Sequence, residues 1–242
     1  VAAFDEFSST VDRTVAKFAS MAVSKAVKKR RCRLERFVAV TCHYDVLAWL
    51  EPDWVLDLGK QPAELARGCL RRPEIEVELR RCGKGARREV WPTFAKHHYL
   101  SGSLHPAATC YVGLVDGQLC GFVATLTNAG HTGRRIVTRL VVLPDYQGGG
   151  LGLKLLDAVC GHEAEAGYTM SICTSHPALI AALGRRSGWL RTKVAKGGQR
   201  QTGFSRARGR RAGSAGRLTA SFGFAPTPTP APGSCPGSCP GS

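Results

Sequence analysis

What this chain lacks narrows it first. No apolar run approaches the roughly 18 residues needed to cross a bilayer, and the N-terminus has no charged-then-apolar leader pattern, so the expectation is a cytoplasmic protein with no membrane partner. Acidic side chains are scarce: 18 Asp and Glu stand against 34 Lys and Arg, for a formal net charge of +16. That imbalance makes phosphate-bearing ligands, nucleic acid and anionic surfaces all eligible, and charge alone does not choose among them. The ten cysteines fall in no CxxC pair and no Cys/His metal spacing, which points to reduced thiols rather than a disulfide framework, and to no metal site. No cluster of acidic residues and no aromatic cage marks a pocket for a cationic substrate. With 242 residues, 43% of them hydrophobic, there is still ample material for one large or two modest domains.

The most informative stretch is residues 139–166. A β-branched and leucine run, Arg139-Leu140-Val141-Val142-Leu143, is of strand length and ends at Pro144. From Leu151 the apolar residues Leu151, Leu155, Leu156 and Val159 recur at helical spacing. Between them lie Gln147, Gly148, Gly149, Gly150, Leu151 and Gly152, at a helix N-terminus. Backbone N–H groups there have no intrahelical acceptor, and the helix dipole adds partial positive charge. A diphosphate fits that need, because it can reach the backbone only where no Cβ intervenes. No Lys-Ser/Thr follows the glycines, which excludes a P-loop, and the full G-x-G-x-x-G dinucleotide fingerprint is absent.

The pattern Val141-Val142-Leu143-Pro144 followed by Gln147-x-x-Gly150-x-Gly152 resembles the acyl-CoA-binding motif of the GNAT superfamily of N-acetyltransferases. The resemblance implies that the turn amides hold the pyrophosphate of acetyl-CoA, and that Val141 and Val142 offer backbone groups to pantetheine and the thioester. It also implies an amine as the second substrate. Other elements follow the order of that fold: a strand over 75–82, a helix over 89–100, strands over 110–115 and 119–127 joined by the hairpin signal Asp116-Gly117, and strands over 168–174 and 218–222. In one place the chain departs from the family. The usual Leu-Tyr-x-x-x-Gly-Phe ending reads Leu183-Gly184-Arg185-Arg186-Ser187-Gly188-Trp189, so Gly184 replaces the tyrosine that protonates the leaving thiolate. Ser175 and His176 are the nearest substitute acids, and His97 and His98 are candidates for the base.

The first residues carry a second resemblance. Val1-Ala2-Ala3-Phe4 reads as the end of a buried strand that delivers Asp5 and Glu6. A helix from about Asp12, with Val15, Phe18, Ala19, Ala22, Val23 and Val27 on one face, leads to a strand over 37–41 and then His43. This order resembles the Walker B, D-loop and switch-histidine end of ABC-type ATPases. It implies Asp5, Glu6, Asp12 and His43 as remnants of an ATP and Mg²⁺ site, and pairing of two copies through that part. Neither a Walker A loop nor an ABC signature is present in these residues.

Taken together, the expectation is an α/β chain. Residues 1–60 would be a partial P-loop NTPase segment, 61–72 a linker, and 73–225 a GNAT-like mixed, mostly antiparallel sheet flanked by helices. Residues 226–242, with repeated Gly-Ser-Cys-Pro, would be a low-complexity tail in which Cys235 and Cys239 lack further ligands. The expected function is acetyl transfer from acetyl-CoA to an amine. The competing reading is a nucleic-acid-associated ATPase fragment whose GNAT-like fold only senses CoA or makes contacts, with Arg206, Arg208, Arg210 and Arg211 on phosphates.

Overall fold

The computed structural model describes residues 1–29, 36–68, 74–83, 85–98, 103–196 and 218–225. In chain order the elements are β1 (Ala2–Phe4), α1 (Arg13–Lys28), β2 (Phe37–Ala39), α2 (Val46–Leu50), β3 (Trp54–Asp57), β4 (Glu64–Arg67), β5 (Glu78–Cys82), α3 (Ala86–Ala95), β6 (Thr109–Val115), β7 (Gln118–Thr127) and β8 (Arg134–Val142). After a single 3-10 turn at Pro144–Tyr146 come α4 (Leu151–Glu165), β9 (Thr169–Thr174), α5 (Pro177–Leu183), β10 (Trp189–Lys196) and β11 (Leu218–Phe224). They divide into two compact units, Val1–Leu126 with Thr138–Val159, and Thr127–Val137 with Cys160–Ser242.

In the first unit β5, β6 and β7 are antiparallel neighbours, and β8 lies beside β7. The β6–β7 turn uses Asp116 and Gly117, both at positive φ, the geometry that a two-residue hairpin with right-handed strand twist demands. Both strands are buried along most of their length, which explains their continuous apolar composition, since a strand covered on both faces has no need of alternation. On one face Val112, Leu114, Phe122 and Ala124 pack with Trp91 and Phe94 of α3; the rings of Trp91 and Phe94 lie 5.0 and 5.5 Å from that of Phe122. On the other face Gly113 sits opposite Gly121, and the pair leaves a gap that Leu155 of α4 fills. A Cβ at Gly121 would fall 2.3 Å from Leu155 Cδ1, and one at Gly113 would fall 2.5 Å from Leu155 Cδ2.

The N-terminal residues of this unit fold less like the sequence expectation. β1 and β2 pair in parallel, but Ala3 and Phe4 are exposed, so β1 is not a buried strand: within the described residues, β2 is its one strand neighbour. Helix α1 starts at an N-cap, the Asp12 carboxylate accepting from the Thr14 amide at 2.8 Å, as the sequence suggests. Its covered side is Ala16, Phe18, Ser20, Met21 and Ser24, while Ala19 is exposed. The two serines tolerate burial because each hydroxyl has an acceptor, Ala16 O for Ser20 and Glu51 Oε2 for Ser24. β3 pairs antiparallel with β4, and β4 occupies part of the stretch expected to be a linker.

In the second unit β8 pairs in parallel with β9, and β9, β11 and β10 follow in antiparallel order. β10 is a strand that composition hides: after Trp189 it carries Arg191, Lys193 and Lys196 and buries little. The Arg135 guanidinium gives Nη1 contacts of 2.7 and 2.6 Å to the two oxygens of Glu163 and lies 3.9 Å over the Tyr168 ring. Both side chains are largely buried, and a buried charge persists only when so paired. The architecture is therefore α/β, a mostly antiparallel sheet with helices beside it. Among the described residues no helix is long and apolar enough to cross a membrane, and no cluster of His, Cys, Asp and Glu could hold a metal ion.

Gly121→Ala tests the close approach of α4. The added methyl overlaps Leu155 and also comes within 3.3 Å of the Val141 carbonyl oxygen, so a loss of about 1–3 kcal/mol in denaturant unfolding is expected, as for other overpacked sites.

Candidate functional site

The glycine turn is where strand and helix hand over. Pro144 ends β8, the 3-10 turn follows, and the Gln147 side chain is pinned by its Nε2 donating to the Val142 carbonyl at 2.9 Å. Gly148 and Gly150 both adopt φ of 91°, a region that side chains resist. The first helical hydrogen bonds of α4 run from the Leu153 and Lys154 amides to Gly150 O, so the amides just before them play no part in the helix ladder and are the expected anion donors. Val141, buried in the core beneath, and Val142 stand at the end of β8.

Helix α1 lies directly on this turn. A Cβ at Gly148 would fall 2.5 Å from the Ala22 Cβ, one at Gly149 would touch the Phe18 ring at 3.1 Å and the Met21 methyl at 3.2 Å, and one at Gly150 would meet Lys25 Nζ at 3.1 Å. The Phe18 ring also meets Tyr146 edge-on at 5.1 Å between centroids. Phe18, Met21, Ala22 and Lys25 are spaced by three, one and three residues, a single helical stripe. That spacing was visible in the sequence, but nothing in it says which element the stripe covers.

The catalytic candidates are distributed over both units. In the first, His97 is exposed just beyond α3, and His98 is half-buried with its ring 6.3 Å from that of Trp91. In the second, Ser175 follows β9, and His176 is the N-cap of α5, its Nδ1 accepting from the Leu179 amide at 3.3 Å. A ring whose Nδ1 accepts carries its proton on Nε2 when neutral, so Nε2 is a donor. Gly184 ends α5 and gives its amide to Ile180 O; no side chain there reaches outward.

The curated proteins contain no match to this chain. Residues 106–187 match the family model for the acetyltransferase (GNAT) domain. This segment is a GNAT acetyltransferase domain. Solved structures similar to the chain include an IAA acetyltransferase from Bacillus cereus, 17% identical over 62% of this chain and 99% of that one, at a TM-score of 0.45. The ribosomal-protein-S18-alanine N-acetyltransferase from Escherichia coli is 14% identical over 62% and 93%, with a TM-score of 0.46. A GNAT family acetyltransferase from Elizabethkingia anophelis with acetyl-CoA bound is 12% identical over 62% and 97%, also at 0.46.

The glycine turn, Val141, Val142, Ser175, His176 and Gly184 all lie inside the GNAT segment, whereas His97, His98 and the whole of α1 lie outside it. Of the residues expected in an ATPase site, Asp5, Asp12 and His43 make hydrogen bonds to nearby groups. Asp5 accepts from the Glu6 amide at 2.9 Å, and Asp12 caps α1, with the Thr14 amide holding its carboxyl below the usual range. His43 Nδ1 lies 3.4 Å from Ser8 Oγ, and its amide donates to Thr41 Oγ1. Arg206, Arg208, Arg210, Arg211, Cys235 and Cys239 lie outside the described residues.

The Cys110 and Cys120 thiols are buried among the strands of the first unit. Burial pushes the Cys110 and Cys120 thiols up to about 11 from an ordinary 9. Both must stay protonated in the native state, so the stability they contribute is complete below the unfolded value and is lost as pH rises through the folded one. Unfolding midpoints should therefore fall between about pH 9 and 11, and the decline should shrink in a Cys110→Ala/Cys120→Ala double variant. At neutral pH an alkylating reagent should label exposed Cys42 and Cys173 well before these two.

Proposed function

We propose that this chain is an N-acetyltransferase that moves an acetyl group from acetyl-CoA to an amine. The observation that carries the reading is the glycine turn itself: within the GNAT segment, positive-φ glycines precede a helix whose first ladder bonds begin only at Leu153 and Lys154. The residues fit the cofactor. The amides from Gln147 to Gly152 would hold the diphosphate against the N-terminus of α4, and backbone groups of Val141 and Val142 would align the carrier arm. When bound, acetyl-CoA supplies an activated acetyl thioester.

What the chain must add is modest. It has to place an amine at the thioester, remove a proton from that amine, and return a proton to the sulfur. His97 or His98, next to the end of α3, would take the amine proton. With Gly184 in place of a tyrosine, the proton for sulfur would come from Ser175 or from Nε2 of His176, the nitrogen left as a donor by the capping hydrogen bond.

Residues 1–60 we read as similar to the closing part of an ABC-type ATPase domain. The parallel β1–β2 pair and the grouping of Ser8, Thr41 and His43 support that reading. Without a phosphate-cradling loop of the P-loop type in these 242 residues, purified chain should show no ATP turnover above background. Turnover abolished by Glu6→Gln would reverse this.

Gly150→Val tests the cofactor assignment. The branched side chain would impose a β-branched residue at a φ of 91° and crowd the turn, and acetyl-CoA affinity should fall at least about tenfold, the worth of one charge-assisted hydrogen bond. Calorimetry and thermal shift on folded wild-type and variant protein give the comparison. A folded wild-type chain that binds no acetyl-CoA would overturn the reading.

A further inference from the structure

The sheet of the first unit sets two cysteines against each other. Cys82, the last residue of β5, stands directly opposite Cys110 of β6 in the antiparallel register. Both side chains lie on the face covered by Trp91 and Phe94 of α3, Cys110 as part of that core and Cys82 packed at its margin. Directly opposed residues of antiparallel strands hold their Cβ atoms about 4.5–5.5 Å apart, and a disulfide needs about 3.5–4.5 Å, so closure asks for a movement of only about 1 Å. The chain beside Cys82 can supply it. Gly83 and Gly85 stand in open space, with no atom within 4 Å of where a Cβ would be, and glycine gives the end of β5 the widest backbone freedom. Cys120 and Cys173 also lie on strands, but neither faces a cysteine: Cys173 stands opposite Ser221, and Cys120 falls at the irregularity between β6 and β7.

We propose that Cys82 and Cys110 are a redox pair, open as thiols in this structure and closed by a peroxide into a cross-strand disulfide that staples the segment carrying α3, His97 and His98. The two sulfurs differ in access: Cys82 is half-buried, whereas Cys110 is 1% exposed. Peroxide therefore meets Cys82 first. The Cys82 thiolate attacks one peroxide oxygen, the O–O bond breaks and hydroxide leaves, which gives a sulfenic acid. Cys110 then attacks that sulfur; the S–S bond forms, the S–O bond breaks and a second hydroxide leaves. The two thiol protons turn both hydroxides into water, so two thiols and one peroxide give one disulfide and two waters, with two electrons passing from sulfur to oxygen. Burial raises both thiols above their ordinary range, which keeps the thiolate fraction small at neutral pH. Closure is accordingly slow and follows sustained exposure to oxidant. None of these steps involves the glycine turn, so the redox pair stands or falls separately from the binding of acetyl-CoA.

The experiment treats the folded full chain with hydrogen peroxide at neutral pH, blocks the remaining thiols by alkylation, and maps the cysteine peptides by mass. The peptides of Cys82 and Cys110 are expected to be recovered joined, two hydrogen atoms lighter than their sum, and to separate on treatment with dithiothreitol. This measurement needs no variant. In Cys82→Ser the joined species should vanish and Cys110 should remain a thiol, because peroxide reaches it only through its neighbour. The thermal unfolding midpoint of the oxidised wild-type chain should rise by roughly 4–16 °C, the worth of one disulfide in a chain of this size, and the rise should be absent in the variant. Recovery of Cys82 as a thiol or a sulfinic acid with no joined peptide, while exposed Cys42 and Cys173 are oxidised, would overturn the proposal. Joining of Cys82 to any cysteine other than Cys110 would overturn it as well. Oxidation of Cys110 in Cys82→Ser at the wild-type rate would remove the order of attack, and a joined peptide with no rise in midpoint would remove the staple.

Discussion

Helices, strands and turns approach one another only as closely as the Cβ atoms between them permit, and the first unit depends on that limit at two places. Leu155 enters the gap left by Gly113 and Gly121, which draws α4 down onto β6 and β7. At the start of the same helix, Ala22 and Phe18 press against Gly148 and Gly149. The N-terminus of α4 is therefore fixed from below by a strand pair and from the side by a helix, and the amides of the turn are held in a set direction before any ligand arrives. Preorganisation of this kind lowers the ordering cost of binding a charged group.

The same packing gives the glycines two duties. Positive φ at Gly148 and Gly150 shapes the turn, while the absence of a Cβ at Gly148 and Gly149 admits α1. A glycine-rich turn read only as a phosphate loop misses half of its physical explanation. Gln147, for its part, spends its side chain on the Val142 carbonyl, which ties the turn back to the strand that would carry the acyl arm.

Much of this was legible in the sequence, and the reasons differ by element. The hairpin at Asp116-Gly117, the strand ending at Pro144 and the helix from Leu151 each carry local signals, so composition and spacing sufficed. β10 escaped because its cations on a barely buried strand look the same as the basic stretch that follows it. The exposure of β1 escaped because an apolar tetrapeptide reads as buried whether or not a neighbouring strand exists. The stripe of Phe18, Met21, Ala22 and Lys25 was readable as a stripe, but its partner, the turn more than a hundred residues later, is a tertiary fact that no local pattern encodes. For Ser175, His176, His97 and His98 the sequence offered chemistry without placement, and the structure adds the capping bond of His176 and the Trp91 ring beside His98.

The contact between Ala22 and Gly148 also bears on how this chain can change over time. With only 2.5 Å between Ala22 Cβ and the place where a side chain at 148 would begin, neither position can grow unless the other gives way. Residues that belong to an N-terminal helix and residues of the GNAT segment are thus bound into one unit of mutational drift. Among relatives that keep the helix docked, size at position 22 and at 148 should vary together, and a chain that loses the helix would be released from half of its demand for glycine.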